Sequence, residues 1–491
     1  MIGKLSTLLA MSAVLFASRA QADLNISKKP TQNMSCSGGL CTATAKNAIL
    51  NVDDLTDMLA TGDLTVKFGG GALAIQISDG FSWTSTSRLT LDANTSIGVH
   101  KPVIVAGNGA LTIAYDDGGS GGDLKFADKG KIDFWNLKSK LTINGNSYTL
   151  AGDIQALAQN IKMNRSGFHA LANDYDATND GTYDESAIPG AIQGVFEGLG
   201  HTIANLVLGQ LSCAGHLGFF DTVATGAAVR DIALSDAFGV ACGGYHSSLF
   251  VATNMGIIDG VSVSGTLQSS GPGGVAMTGA VAAANFGAVV ERSSSSATVI
   301  CNNKHSAAGG LVGWSDGQIL SSHATGDVTA GNTALVGGLA GYAQSIDGSF
   351  ATGPVNIAKK SSAGGLVGSG SATNSYALGA VHGGAESFVG GLMGQGTNTS
   401  AAYSTGAVGG TSGVTLGGFV GAYDGNFDSD VWDITTSGQN SGCGSGSCSG
   451  IAGVTDAQLK SELPNGFDPK IWAQSSNINN GYPYLRANPP K

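Results

Sequence analysis

One pentapeptide recurs along this chain at a nearly fixed interval. GGLVG at Gly309 returns as GGLAG at Gly337, GGLVG at Gly364, GGLMG at Gly390 and GGFVG at Gly417, in steps of 28, 27, 26 and 27 residues. A second motif keeps pace. ATGDV, ATGPV, ALGAV and STGAV place glycines at Gly326, Gly353, Gly379 and Gly406. Weaker copies lie upstream in SLFVATNMG at Ser248 and GAVAAANFG at Gly279. A period in this range marks a solenoid, whose units bury their apolar faces only by stacking.

The residue types decide which solenoid. A glycine inside a helix costs about 1 kcal/mol, and here glycines fall every few residues. The short segments between them carry Val, Leu, Ile, Phe and Tyr, as strands do. A unit of this length cut by glycine bends predicts one coil of a parallel β-helix. Equivalent positions then lie about 4.8 Å apart. Leu311, Leu339, Leu366, Leu392 and Phe419 form an inward apolar ladder. His323, Phe350, Tyr376 and Tyr403 form a second column of flat rings, and Phe350, Tyr376 and Tyr403 are assigned with the leucines to the repeat core. Trp314 to Asp316 vary between copies, so they are the part able to face a partner.

Composition agrees with an all-β protein. Charged residues make up 12 % of the chain and glycine supplies 77 of 491 positions, against a usual charged share of about 25 %. The formal net charge is −11, and no Lys/Arg run offers a footprint for nucleic acid. At the N-terminus a short basic stretch precedes the apolar LSTLLAMSAVLFA and a small-x-small ending at Ala22. Residues 1–22 therefore read as a secretory signal peptide, and no later run reaches transmembrane length. In an oxidising compartment disulfides are the default. Cys36 and Cys41 share the spacing of Cys443 and Cys448, and neither pair has the neighbouring His that a zinc site needs. Cys213 and Cys242 are 29 residues apart, close to one coil, and make a third candidate pair. Cys301 is left over.

The chain divides into the signal, a strand-rich region with a solenoid cap at 23–150, the solenoid at 151–440, and a disulfide loop with a C-terminal cover at 441–491. Asn51–Gly62, Gly152–Ile161 and Val454–Leu463 read as short helices, the first able to cover an open sheet edge. YDDGGSGGD at Tyr115–Asp123 reads as a hairpin-like turn.

Three stretches together resemble a bacterial family. GFHALANDYDATND at Gly167–Asp180 is similar to a signature found upstream of such repeats. GVFEGLGHTIANLVL at Gly194–Leu208 resembles a second signature. The GGLVG repeats with their trailing ATG look like the GLUG motif. These occur together in filamentous-haemagglutinin-like surface adhesins, and GLUG repeats also occur in some IgA-peptidase-related surface proteins. The resemblance spans roughly Ser147 to Leu485. It implies a right-handed parallel β-helix, export, and adhesion or surface display. The N-terminal secretion signatures of two-partner haemagglutinins are not evident, so the route beyond the inner membrane is open: secreted or cell-surface is expected, with the periplasm the alternative. The family supplies no catalytic residue to transfer.

The expected partner is a host or surface glycan or protein, bound without catalysis and without a cofactor. The chief rival is a polysaccharide lyase or glycoside hydrolase, because the same scaffold carries such enzymes. A hydrolase needs two facing carboxylates, yet Asp316, Asp327, Asp347, Asp424, Asp428 and Asp430 share no column. A structural envelope or matrix component is the third reading. Asp174, Asp176, Asp180 and Asp184 crowd one loop and are weak calcium candidates. An EF-hand register from Asp176 puts Ala187 where a bidentate Glu is required. His201 reads as structural. Ser315 in GWSDG lacks the strand and helix of a nucleophile elbow.

Overall fold

The computed structural model describes residues 23–490 apart from 120, 128, 210–214, 243–244 and 272–274, with backbone only at 423–424. The signal-peptide reading therefore lies outside the described residues, as does Cys213 and with it the Cys213–Cys242 pairing.

Each repeat builds one turn of a tube. In one coil Leu335–Gly337 is followed by Ala340–Asp347, Phe350–Ala351 and Val355–Ile357. Each strand pairs in parallel with its counterpart one coil on: Val336 with Ala363, Ala340 with Val367, Phe350 with Tyr376 and Val355 with Val381. The result is an all-β parallel solenoid of about 15 turns. Leu311, Leu339, Leu366, Leu392 and Phe419 are wholly buried inside it.

Two further columns hold the coils in register. Ser322, Ser349 and Ser375 each accept the backbone N–H of the serine one coil earlier, at 3.1, 3.1 and 3.3 Å. Each also donates to a carbonyl two residues before it, which satisfies a polar group that burial would otherwise penalise. Glycines form the other column. A Cβ on Gly353 would sit 2.0 Å from the carbonyl oxygen of Gly326, and one on Gly379 2.0 Å from that of Gly353.

The flat-ring column is built as stacked rings, on the outer side of the wall. His323, Phe350, Tyr376 and Tyr403 stack at 4.6, 4.8 and 5.0 Å with planes within 6°. They point out of the tube, because a strand alternates its side chains and the adjacent Ala324, Ala351 and Ala377 point in. Phe350, Tyr376 and Tyr403 belong to a separate cluster with Leu459, Phe467, Trp472, Tyr482 and Leu485. The C-terminal cover is thus a strap over the outer ladder. It is tied down by Tyr403, whose hydroxyl donates to the Pro483 carbonyl at 2.6 Å, and by Asn488, which bonds the Ser322 and Gly348 carbonyls.

Residues 23–150 are also coils. Leu64–Lys67, Arg88–Asp92, Ala110–Ala114 and Lys140–Ile143 stack in parallel. Tyr115–Asp123 is a corner between two faces rather than a hairpin: the strand before it pairs on one sheet, and Leu124–Phe126 pairs on another. Two of the expected helices form in full: α1, Val52–Thr61, capped by the Asn51 side chain, and α2, Ile154–Met163, capped by Asp153. The third expected helix is only Asp456–Leu459. Pro464 disfavours helical backbone before it, and Leu459 turns under the strap. Between the two ends, strand direction reverses at the Asn144-Gly145 turn joining Lys140–Ile143 to Asn146–Ala151; the other antiparallel strand pairs among the described residues are the first hairpin, Met34–Ser37 with Leu40–Ala43, and Trp472–Ala473 with Tyr484–Leu485 in the cover. After the Asn144-Gly145 turn α2 inserts Ile154, Leu157 and Ile161 into the second core.

Two disulfides close five-residue spans, Cys36–Cys41 in the first hairpin and Cys443–Cys448 in the last coil, with Cα separations of 4.1 and 5.7 Å. Cys301 is free and buried.

Gly353→Ala must push a backbone carbonyl of the neighbouring coil, so it should lower stability by about 1–3 kcal/mol. Thr329→Ala, on the solvent side of a strand, should leave the melting temperature unchanged. A circular-dichroism melt of the two variants decides this.

Candidate functional site

The fifth residue of each repeat pentapeptide is a glycine for a local reason. A Cβ on Gly341 would lie 2.5 Å from the Ala308 backbone nitrogen, and one on Gly368 2.3 Å from that of Val336. Two neighbouring strands therefore run in backbone contact along the tube. The residue after each glycine is the first able to project outward. Register aligns these as Trp314, Tyr342, Ser369, Gln395 and Ala422, continuing a column from Thr253 and Ala284, which follow alanines and are buried.

Trp314 and Tyr342 are the aromatic members of this column. Their rings stack at 4.0 Å and 21° and both stay partly exposed. Upstream on the adjoining strand, His216 and His246 stack at 4.7 Å. Asp221 hydrogen-bonds His216 Nδ1 at 2.9 Å and raises its pKa. Burial and the His216 charge push His246 down to about 4, and its Nδ1 meets the Thr253 hydroxyl at 2.7 Å.

The acidic loop is dispersed. Asp174 pairs with Lys131 at 2.8 Å and accepts from the Thr202 backbone. Asp176 accepts from Thr178 and Asn205, and Asp180 accepts from Tyr175 and Tyr183. Asp184 is an exposed residue of Thr182–Asp184. Among the described residues no group of three or more His, Cys, Asp or Glu is placed to hold a metal ion.

The two signature stretches form a dock. Gly198-Leu199-Gly200 inserts Leu199 into the core of the first solenoid section, beside Ala170 and Ala172. A Cβ on Gly200 would lie 2.5 Å from the Gly130 carbonyl. His201 is fully buried between the Gly198 carbonyl at 2.9 Å and Asp133 at 3.1 Å. Asn173 donates to the Phe134 carbonyl at 2.9 Å.

Beside that dock lies a charge cluster that the column argument missed, because its members are far apart in sequence. Arg292 bridges Asp259, through Nε at 2.8 Å, to Asp123 of the first section. Glu197 is buried with Asp231 beside it. Burial pushes the Glu197 carboxyl up to about 7, against the pull of the Leu199 N–H and of Arg230. Asp231 is raised by burial and by the Glu197 charge. Away from this cluster, burial also raises the Asp430 carboxyl to about 7. It lines a cavity of about 490 Å³ under the strap, together with Val431, Leu459 and Glu462.

Fold and surface define a parallel β-solenoid repeat protein with a lateral column that carries two stacked, partly exposed rings. No protein-family model matches the sequence. Over 242 residues, 46 % of the chain, it is 27 % identical to Halomucin of Haloquadratum walsbyi, and the matched part is 2 % of Halomucin's length. A solved structure from Bacteroides ovatus, provisionally named an immunoglobulin A1 protease, is similar over 70 % of this chain and 92 % of its own, with 17 % identity and a TM-score of 0.38.

Between its ordinary value of 4.5 and its folded value of about 7, Glu197 holds a proton in the fold that the unfolded chain has released. Its contribution is therefore full below 4.5 and is lost as the pH rises through 7. Glu197→Gln should shrink the drop in melting temperature between about pH 5 and about pH 8. An identical drop in both proteins would remove Glu197 from this account.

Proposed function

We propose that the protein is an exported, adhesin-like solenoid that binds a glycan or protein without catalysis. The observation that carries this is the partly exposed Trp314–Tyr342 stack. Large, flat side chains stacked side by side and partly exposed on a rigid sheet suit recognition. The GLUG-like repeats add the surface role by resemblance, and the two disulfides suit an oxidising compartment. Attachment to glycan- and protein-coated surfaces tests the reading. Trp314→Ala with Tyr342→Ala should cut retention at least tenfold without changing the melting temperature. Equal retention by the double variant would sink it. Retention on no surface would favour a structural component.

A carbohydrate-active enzyme is the second reading, because Asp430 combines a raised carboxyl with a cavity and with Glu462 on its lining. Polysaccharide turnover that disappears in Asp430→Asn would establish it. No turnover by the intact protein across a polysaccharide panel would remove it.

A further inference from the structure

The outward column carrying Trp314 and Tyr342 stops abruptly, and it stops differently at its two ends. Above Trp314 the next rung is Ala284, which has no exposed surface. Below Tyr342 the next rung is Ser369, which is partly exposed. The Tyr342 ring thus has Trp314 on one face and a single hydroxymethyl group beneath the other. The strand below is also shortened there. Ala343 and Ile346 pair with Gly370 and Ala372, so the lower strand loses one residue. Gly370 takes up the difference at φ +147°, where its missing Cβ would lie 1.9 Å from the Ala343 carbonyl oxygen. Gly370 itself is packed against that carbonyl, so the small Ser369 alone leaves a notch in the outward column, one rung deep, between the Tyr342 ring above and Gln395 below. Beside it the Thr397 hydroxyl donates to the Gly370 carbonyl at 2.9 Å and lies 2.7 Å from the Ser371 hydroxyl. On the adjoining strand Leu335 is partly exposed, and its backbone carbon would be 2.7 Å from a Cβ on Gly368.

We infer that this notch is a subsite for one neutral pyranose ring, stacked beneath Tyr342 in the place of the missing rung. The inference rests on the adhesion reading and names the ligand class for the same stripe. Three features select that class. The spacing fits: successive coils are about 4.8 Å apart, so one flat ring replaces one absent side chain. The upper face fits, because an aromatic face is negative and attracts the C–H-rich face of a sugar. The polar groups fit, because all are uncharged: Ser369 and Gln395 offer both donors and acceptors to hydroxyls, while Ser371 and Thr397, whose protons are used within the wall, offer acceptors. A uronate or sulfated sugar would meet no cation among these groups.

The test titrates the whole protein with neutral hexasaccharides of glucose, mannose and galactose, with a uronate hexasaccharide in parallel. Saturation-transfer NMR and indole fluorescence report binding. At least one neutral hexasaccharide should bind, the uronate at least tenfold more weakly. Ser369→Tyr completes the ladder and should abolish binding. Tyr342→Ala removes the upper face and should do the same, and Gln395→Ala should weaken it about tenfold. Melting curves show whether each variant is folded, and Tyr342→Ala serves if Ser369→Tyr is not. Unchanged binding in folded Ser369→Tyr or Tyr342→Ala overturns the inference, as does uronate bound as tightly as the neutral sugars, or no binding by any neutral hexasaccharide. If surface attachment is still lost on removing Trp314 and Tyr342 in any of those cases, the subsite fails and the adhesion reading stands.

Discussion

Backbone contact between successive coils is the constraint on which everything else here depends. Coils hydrogen-bond about 4.8 Å apart, so each position meets its own equivalent above and below. Where the chain bends, that distance leaves no room for a side chain: a Cβ on Gly406 would lie 1.9 Å from the Gly379 carbonyl oxygen. The repeat is therefore enforced by sterics as much as by hydrophobicity. Serines at Ser322, Ser349 and Ser375 serve the same stacking by accepting one N–H from the coil before. One substitution in such a column is felt by two neighbours.

The same economy explains the stretches that are not repeats. GLGHTI and ALAND resemble a family signature, and their work in this fold is mechanical. Leu199 takes φ +55° to reach the core of the first section, and His201 and Asn173 satisfy polar groups across the join. Burying Glu197 beside this dock pushes its carboxyl up to about 7, so the stability of the join depends on pH. At the far side the strap converts an exposed row of rings into a second small core.

Much of this was legible in the chain. The period predicted parallel coils, and the leucine column is buried as expected. Two helices lie within two residues of the expected bounds. The side of the wall on which the ring column lies was not legible, because period alone cannot tell in from out when alanine and tyrosine alternate. The signal that separates them is the neighbour: Ala351 and Ala377 fill a narrow interior that Phe350 and Tyr376 would overfill. The serine column is present in the chain as a Ser before the ring residue in three copies, Ser322, Ser349 and Ser375. The notch under Tyr342 was not legible, since it needs the deletion of one residue in the strand below to be seen in register.

The sequence by itself determined the coil, its length and its inward ladder, because those follow from local sterics repeated at a fixed interval. Only the tertiary structure decided which outward rings are sealed and which are free. Phe350, Tyr376 and Tyr403 are covered by a segment some 80 residues away in the chain from Tyr403, as with Tyr403 and Pro483, whereas Trp314 and Tyr342 are not. Nothing in the repeat distinguishes the two columns. What distinguishes them is a tail whose apolar face, Phe467, Trp472, Tyr482 and Leu485, lies along one side of the tube and not the other.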